Sequence, residues 1–196
     1  MASTAHSTPL MSIEGVVIDT ETTSLDAREA RLVQIGAVRF LGGHLAQAQH
    51  FSRLVNPGVP IPTVSTAIHG IKDADVAGAP AFTAVADELA AFLGPAILIG
   101  HNIAYDLAVL RAEHERAGKP WQQPRALDIG MLSRLALPTL AKYGLKQLCE
   151  FLKVEDKTRG SATDDAITTA HVFEALVPLL REKGIRTLAE AEAASR

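Results

Sequence analysis

The chain has a single cysteine, Cys149, among 196 residues. That excludes an internal disulfide and a thiolate zinc cluster, and it fits a reducing compartment. Basic charge is not in excess either: the formal net charge is −3. Phosphate contacts alone therefore cannot hold a long duplex. Any nucleic acid must be met locally, with metal ions offsetting acidic side chains. No apolar run approaches membrane-spanning length, so no membrane partner is expected. Met1 to Ser12 lacks the basic start and apolar middle of a secretion signal. It is small and polar and reads as a disordered arm on a cytoplasmic protein. Repeats, low-complexity blocks and linkers are missing from the remainder, so residues 13–196 are expected to form one domain. With 47% hydrophobic and 21% charged residues, that domain can bury an ordinary globular core.

What is present is organised around Gly15-Val16-Val17-Ile18-Asp19-Thr20-Glu21-Thr22-Thr23. The apolar, mostly β-branched start suits a strand buried on both faces. The strand then ends in acid. Asp19 and Glu21 are two apart, so an extended backbone points both carboxylates to one side. Like charges on one face repel unless a cation sits between them, and all-oxygen ligands favour Mg2+ or Mn2+. The blander reading makes Asp19 a turn cap after the strand.

Two further strands are expected, Leu32 to Phe40 and Gln47 to Val55, joined at Leu41-Gly42-Gly43-His44. The three form an antiparallel meander. A short helical patch ends at His69-Gly70, and a helix opens at Pro80 with Phe82, Val85, Leu89 and Phe92 at helical spacing. Ala96 to Ile99 is a buried strand that turns through Gly100-His101-Asn102 into a helix from Ile103 to about Ala117. Arg125 to Leu127 is a last strand, with Asp128 capping a helix through Ala136. Leu145 to Leu152 and Ala162 to about Val177 are further helices, Pro178 ending or kinking the second. One short helix at most follows Ile185. Strands first and strand–helix alternation afterwards give an α/β fold, a mixed sheet flanked by helices. Ligands in such sheets collect at the carboxyl ends of parallel strands, where Asp19 sits.

Two more acids stand on unexpected faces. Asp106 lies three after Ile103 and four before Leu110, on the apolar side of its helix, where a carboxylate is costly unless paired or bound to metal. Backbone donors at the helix start are the bland alternative. On the last long helix Asp165 groups with Thr169, Val172 and Leu176 along the packed stripe, whereas Asp164 falls in the more solvated row. Asp165 is the site candidate. Two carboxylates on a central strand and one on each of two helices suit a two-metal phosphodiester site.

Three motifs then resemble a known family: Val17-Ile18-Asp19-Thr20-Glu21-Thr22-Thr23-Ser24-Leu25, Gly100-His101-Asn102-Ile103-Ala104-Tyr105-Asp106, and Ala162-Thr163-Asp164-Asp165-Ala166. They resemble the DnaQ-like, DEDD-type 3′→5′ exonucleases, nearest the histidine variant, the group that contains the proofreading epsilon subunit of bacterial DNA polymerase III. Val33-Gln34-Ile35-Gly36-Ala37-Val38, Leu54-Val55-Asn56-Pro57 and Ile68-His69-Gly70-Ile71 add to the likeness, which covers roughly residues 13–180. The resemblance implies a ribonuclease H-like fold with a mixed five-stranded sheet. It implies Asp19, Glu21, Asp106 and Asp165 as catalytic ligands of two divalent ions, Mg2+ or Mn2+. It implies release of nucleoside monophosphates from 3′ ends of single-stranded DNA or RNA. Thr22, Thr23 and Leu25 would line the terminal-nucleotide pocket, with His69, His101 and Asn102 near it. The blander reading of both histidines is a structural turn residue.

One departure is chemical. The histidine variant carries its general base five residues before the last Asp, and here that residue is Gly160; the tyrosine variant's position is Ser161. The expectation is a metal-competent but slow nuclease, with His101 and Arg159 the candidates to assist and Gly160→His expected to raise turnover. The alternative is a catalytically weak or inactive module that binds nucleic-acid ends or a protein partner. Gln147-Leu148-Cys149-Glu150-Phe151 faintly resembles a sliding-clamp peptide but reads as an amphipathic helix. The chain also ends soon after the nuclease-like region, so neither a polymerase nor a clamp is expected as partner.

Overall fold

The structure, a computed structural model, describes residues 7–157 and 160–195, the side chain at position 47 apart. Five strands form one sheet: β1 (Gly15–Thr22), β2 (Leu32–Leu41), β3 (His44–Leu54), β4 (Ile97–Gly100) and β5 (Ala126–Asp128). Their order is β3-β2-β1-β4-β5. β1–β2 and β2–β3 are antiparallel, whereas β1–β4 and β4–β5 are parallel. This is the mixed five-stranded sheet that the sequence pattern predicts. The helices are α1 (Thr63–His69), α2 (Asp73–Val76), α3 (Phe82–Leu93), α4 (Ala104–Arg116), α5 (Ile129–Ala136), α6 (Leu145–Leu152), α7 (Ala162–Glu182) and α8 (Leu188–Ala194). Among the described residues no helix is long and apolar enough to cross a membrane.

The sheet is covered on both faces, and β1 shows why its sequence is apolar at successive positions. Val17 packs with Phe40, Ile99 and the α7 residues Ala166, Ala170 and Phe173. Val16 and Ile18, one residue out of phase, pack with Leu107 and Leu110 of α4 and Leu89 of α3. Strand alternation therefore splits β1 between an α7 side and an α4 side. Burying a branched aliphatic side chain is worth about 1.5–3 kcal/mol, so both halves fix the register firmly.

Three expectations need correction. β1 runs four residues beyond Ile18, because the polar residues that follow still pair with β2: Asp19 with Gly36, Thr20 with Ile35 and Glu21 with Gln34. The disordered arm expected over residues 1–12 is not what its second half forms; residues 1–6 lie outside the described ones. Pro9 bridges to Thr187, Leu10 N–H donates to the Arg186 carbonyl at 2.9 Å, and Leu10 is fully buried. One apolar anchor outweighs the polar composition around it. Finally, α7 continues through Pro178. The missing N–H costs about 3 kcal/mol, but Leu176, Val177 and Leu180 keep the same stripe buried on both sides of it.

Candidate active site

β1 carries the first two acids out of the core. Asp19 and Glu21 share the parity of Val17, so both face α7; Thr20 shares the parity of Ile18 and faces α4. The position of α7 is set by a close backbone approach. A Cβ on Gly36 would lie 2.1 Å from the backbone of Ala162 and Thr163, so only glycine lets the helix start rest on β2. Gln34 Oε1 then accepts the Ala162 N–H at 2.9 Å, satisfying one of the free donors at the helix start. Thr163 Oγ1 donates to Ser52 Oγ at 2.9 Å. Because Gly36 is the β2 partner of Asp19, Asp165 in the first turn of α7 comes down beside the β1 acids.

Carboxylate oxygens of Asp19, Glu21 and Asp165 lie within 4.8 Å of one another. Each of these residues is partly buried, so the cluster keeps an opening to solvent. Asp106 approaches from the α4 side. It is 5% exposed, and its Oδ1 accepts a hydrogen bond from Thr20 Oγ1 at 2.6 Å. It is therefore a neighbour of the three-acid group rather than a member of it. Its charge still reaches Asp19 and Glu21 and raises the pKa of both. The sequence's four carboxylates thus resolve into three in one cluster and one held by Thr20. Asp164 takes no part in the cluster.

The electrostatics are those of a site awaiting positive charge. Burial, then Asp106, Asp165 and Glu21, push Asp19 well above the usual carboxylate range. Burial, then Asp165 and Asp106, lift Glu21 to about 7. Asp106 rises to about 7, chiefly by burial, with Asp128 adding repulsion and the Thr20 hydroxyl opposing. Asp165 rises to about 6 through burial, Asp156 and Asp164. Asp165 Oδ1 is buried without a hydrogen-bond partner. An orphaned carboxylate oxygen is costly in a folded protein, and a hard cation would satisfy it. The donor set, all oxygen and all anionic, fits a divalent metal ion.

The remaining predicted residues fall into three places. Thr22 and Thr23 are buried and tied internally. Thr22 Oγ1 donates to the Ser24 carbonyl at 2.9 Å, and Thr23 Oγ1 accepts the Arg31 N–H at 3.0 Å. Leu25 stands out at 82% exposed. His69 is 4% exposed; its Nδ1 accepts the Ile71 N–H at 3.1 Å. The proton therefore resides on Nε2, which is buried and makes no hydrogen bond of good geometry among the described residues, the Thr22 backbone being its near neighbour. Burial lowers the His69 pKa, and the backbone of Thr22 opposes that shift. His101 and Asn102 form the turn from β4 into α4, Asn102 in the left-handed region at φ 57°. His101 Nε2 donates to the Tyr143 carbonyl at 2.7 Å, leaving Nδ1 to accept from Asn102 Nδ2 at 3.3 Å. Both ring nitrogens are engaged in holding the turn. Arg159 lies outside the described residues.

Gly160 has φ +74°, and a Cβ there would meet the His69 carbonyl oxygen at 2.7 Å. The end of α1 fills the place a side chain would need. Gly160→His is therefore no simple restoration of a base, and the expected gain in turnover gives way to an expected loss of stability. Spacing gives no site role to Thr20, Gly36 or Tyr105, and reads Asp128 only as the cap of α5, which it is, its Oδ1 accepting the Met131 N–H at 3.1 Å. Strand parity was the available signal for Thr20.

A family model described as Exonuclease (RNase_T) matches residues 16–173. The chain is 38% identical over 183 residues to a DNA polymerase III subunit epsilon-like protein of Rhodobacter capsulatus, covering 92% of this chain and 26% of that protein. It is 33% identical over 159 residues to the DNA polymerase III subunit epsilon of Aquifex aeolicus, covering 81% and 77%. The chain thus spans about a quarter of the Rhodobacter protein, and 12% of the PolC-type DNA polymerase III of Halalkalibacterium halodurans. Among solved structures it superposes on exonuclease X, solved in complex with 5′ overhanging duplex DNA, with a TM-score of 0.67 and 25% identity over 91% of this chain and 98% of that one.

Proposed function

Because this chain belongs to the RNase_T exonuclease family and has its ribonuclease H-like fold, we propose that it is a metal-dependent 3′→5′ exonuclease. It removes nucleoside monophosphates from the 3′ ends of single-stranded nucleic acid. The observation that carries this reading is the three-acid cluster with its orphaned Asp165 oxygen. Asp19, Glu21, Asp106 and Asp165 are the residues that would hold two ions, Mg2+ or Mn2+. Such ions, when bound, would supply positive charge to the phosphate and would lower the pKa of a bound water towards ~7.

The chain's own groups prepare that chemistry. Repulsion among the acids makes the metal-free cluster unfavourable, so cation binding relieves stored strain. Thr20 fixes the carboxylate of Asp106 from below. Exposed Leu25 offers an apolar edge to the terminal base, and the Nε2–H of His69, near the Thr22 backbone but without a hydrogen bond of good geometry, is a buried donor that can take a better acceptor. A substrate oxygen would supply one. Thr22 and Thr23 shape this pocket through their backbone, and His101 and Asn102 support it from the β4 turn. Among the described residues none stands in for the family's histidine, whose place is Gly160. A general base contributes about 10²–10⁴-fold, so turnover is expected to be low.

The lack of room at Gly160 favours a second reading, a nuclease-like module that binds ends without cutting them. One experiment separates the two. Single-stranded DNA, RNA and duplex, each labelled at the 5′ end, are incubated with Mn2+ or EDTA. A ladder shortening from the 3′ end only with Mn2+ supports the enzyme; a stable complex with no shortening supports the module.

A further inference from the structure

The loop between β1 and β2 is clamped to α4 at both ends. At the far end Glu113, 2% exposed, accepts from Arg31 Nε at 2.8 Å, Leu32 N–H at 3.2 Å and Arg116 Nη1 at 3.1 Å. Arg116 also donates to the carbonyls of Ala30 and Arg28 at 2.8 and 2.9 Å. At the near end the hydroxyl of Tyr105 donates to the Ser24 carbonyl and meets the hydroxyl of Thr22. Ser65 Oγ adds a bond to the Thr23 carbonyl at 2.9 Å. Between the clamps, Leu25 projects into solvent.

The near clamp lies where the sheet stops supporting the chain. The β1–β2 register shifts between Glu21 and Thr22, and the pairing ends with Thr22 opposite Leu32 and the Thr23 N–H on the Arg31 carbonyl at 3.0 Å, so from Ser24 onward side chains help to fix the backbone. The ring of Tyr105 packs among apolar neighbours of the α4 side, a task phenylalanine would perform equally well. What tyrosine adds is one hydroxyl, and that hydroxyl is spent on Ser24 and Thr22. Tyr105 also directly precedes Asp106. A single helical turn therefore places both an acid of the site and the segment that ends in Leu25.

We infer that Tyr105 is a positioning residue for substrate: its hydroxyl holds Thr22–Leu25 at a fixed height above the acids, so that the 3′-terminal nucleotide meets a preformed shelf. This rests on the exonuclease reading, and it assigns the tyrosine a part in binding rather than in bond cleavage. Preorganised contacts lower the ordering cost of binding, so loosening them weakens affinity without touching the reacting groups.

The test is Tyr105→Phe in the full chain with Mn2+. Loss of one hydrogen bond predicts a rise of about threefold to tenfold in KM for a labelled single-stranded oligonucleotide, and in the Kd for thymidine monophosphate by calorimetry. The kcat should stay within about twofold, as expected for lost uniform binding, with the Mn2+ isotherm unchanged. Ser65→Ala, which frees the same segment from α1, should move KM and Kd in the same direction. Unchanged KM and Kd in Tyr105→Phe, or a fall in kcat with KM unchanged, overturns the assignment. If the wild type never shortens DNA but Tyr105→Phe still weakens thymidine monophosphate, the exonuclease reading fails and the positioning role stands. If the wild type shortens DNA and the variant is silent, only the positioning role fails.

Discussion

Replacing Glu21 by glutamine should make the metal-free protein more stable at pH 8 while destroying the site. Glu21 has its pKa raised from 4.5 to about 7 by burial, Asp165 and Asp106. A carboxyl whose folded pKa lies above its unfolded value binds more protons when folded, so stability falls as pH rises through that interval. By linkage, Glu21 alone removes about 2.5 kcal/mol between pH 5 and pH 8. Screening by the water that reaches its exposed part reduces this to about 1.5 kcal/mol. Glutamine has no charge to develop, so the variant should gain on the wild type by that amount, about 3–6 °C in melting temperature at this chain length. His69 works in the opposite sense, because burial lowers its pKa, but it is common to both proteins and cancels in the difference. Asp26, held at about 2 beside Arg28, titrates below the window. The assay is thermal unfolding in EDTA from pH 5 to 8, repeated with Mn2+. Mn2+ should raise the wild-type melting temperature at pH 8 and have much less effect on Glu21→Gln, since a ligand stabilises by mass action only where it binds. A wild-type melting temperature in EDTA that holds or rises from pH 5 to 8, relative to Glu21→Gln, would refute the repulsion on which the site rests.

Gly36→Ala drives a methyl group into the first turn of α7; overpacking of this kind costs about 1–3 kcal/mol or more. Displacing Asp165 by about 1 Å should cut activity about 10²-fold, measurable as initial rate beside a circular-dichroism melt. Gly160→His should lose about 2–3 kcal/mol, from left-handed backbone strain of about 1–2 kcal/mol and the clash with His69. It should not raise kcat, and a faster enzyme with an unshifted melt contradicts the steric argument. Glu113→Ala leaves Arg31, Arg116 and the Leu32 N–H without their shared acceptor. Breaking such a buried cluster costs about 3 kcal/mol; a urea denaturation midpoint equal to that of wild type rules the clamp out as a source of stability.

The same strand parity explains both what was legible in the sequence and what was not. Period two alone puts Asp19 and Glu21 on one side of the strand, and helical spacing separates Asp165 from Asp164. Those are local facts, carried by neighbours in the chain. Parity also put Thr20 on the opposite side, where Asp106 meets it, but reading that required knowing which helix lies on which face. Convergence of distant elements leaves no mark in spacing. Gln34 caps a helix whose first residue is 128 positions away, and Gly36 is small because that helix rests on it. Position 160 is the sharper case. The sequence reveals a missing base, a chemical loss; the fold reveals a positive φ and the His69 carbonyl in the way, a steric reason that any side chain there must overcome. The absence of a base and the close seating of α1 are therefore one feature. At position 160 the close approach of the His69 backbone, and not only the missing side chain, is what a reintroduced histidine would have to overcome.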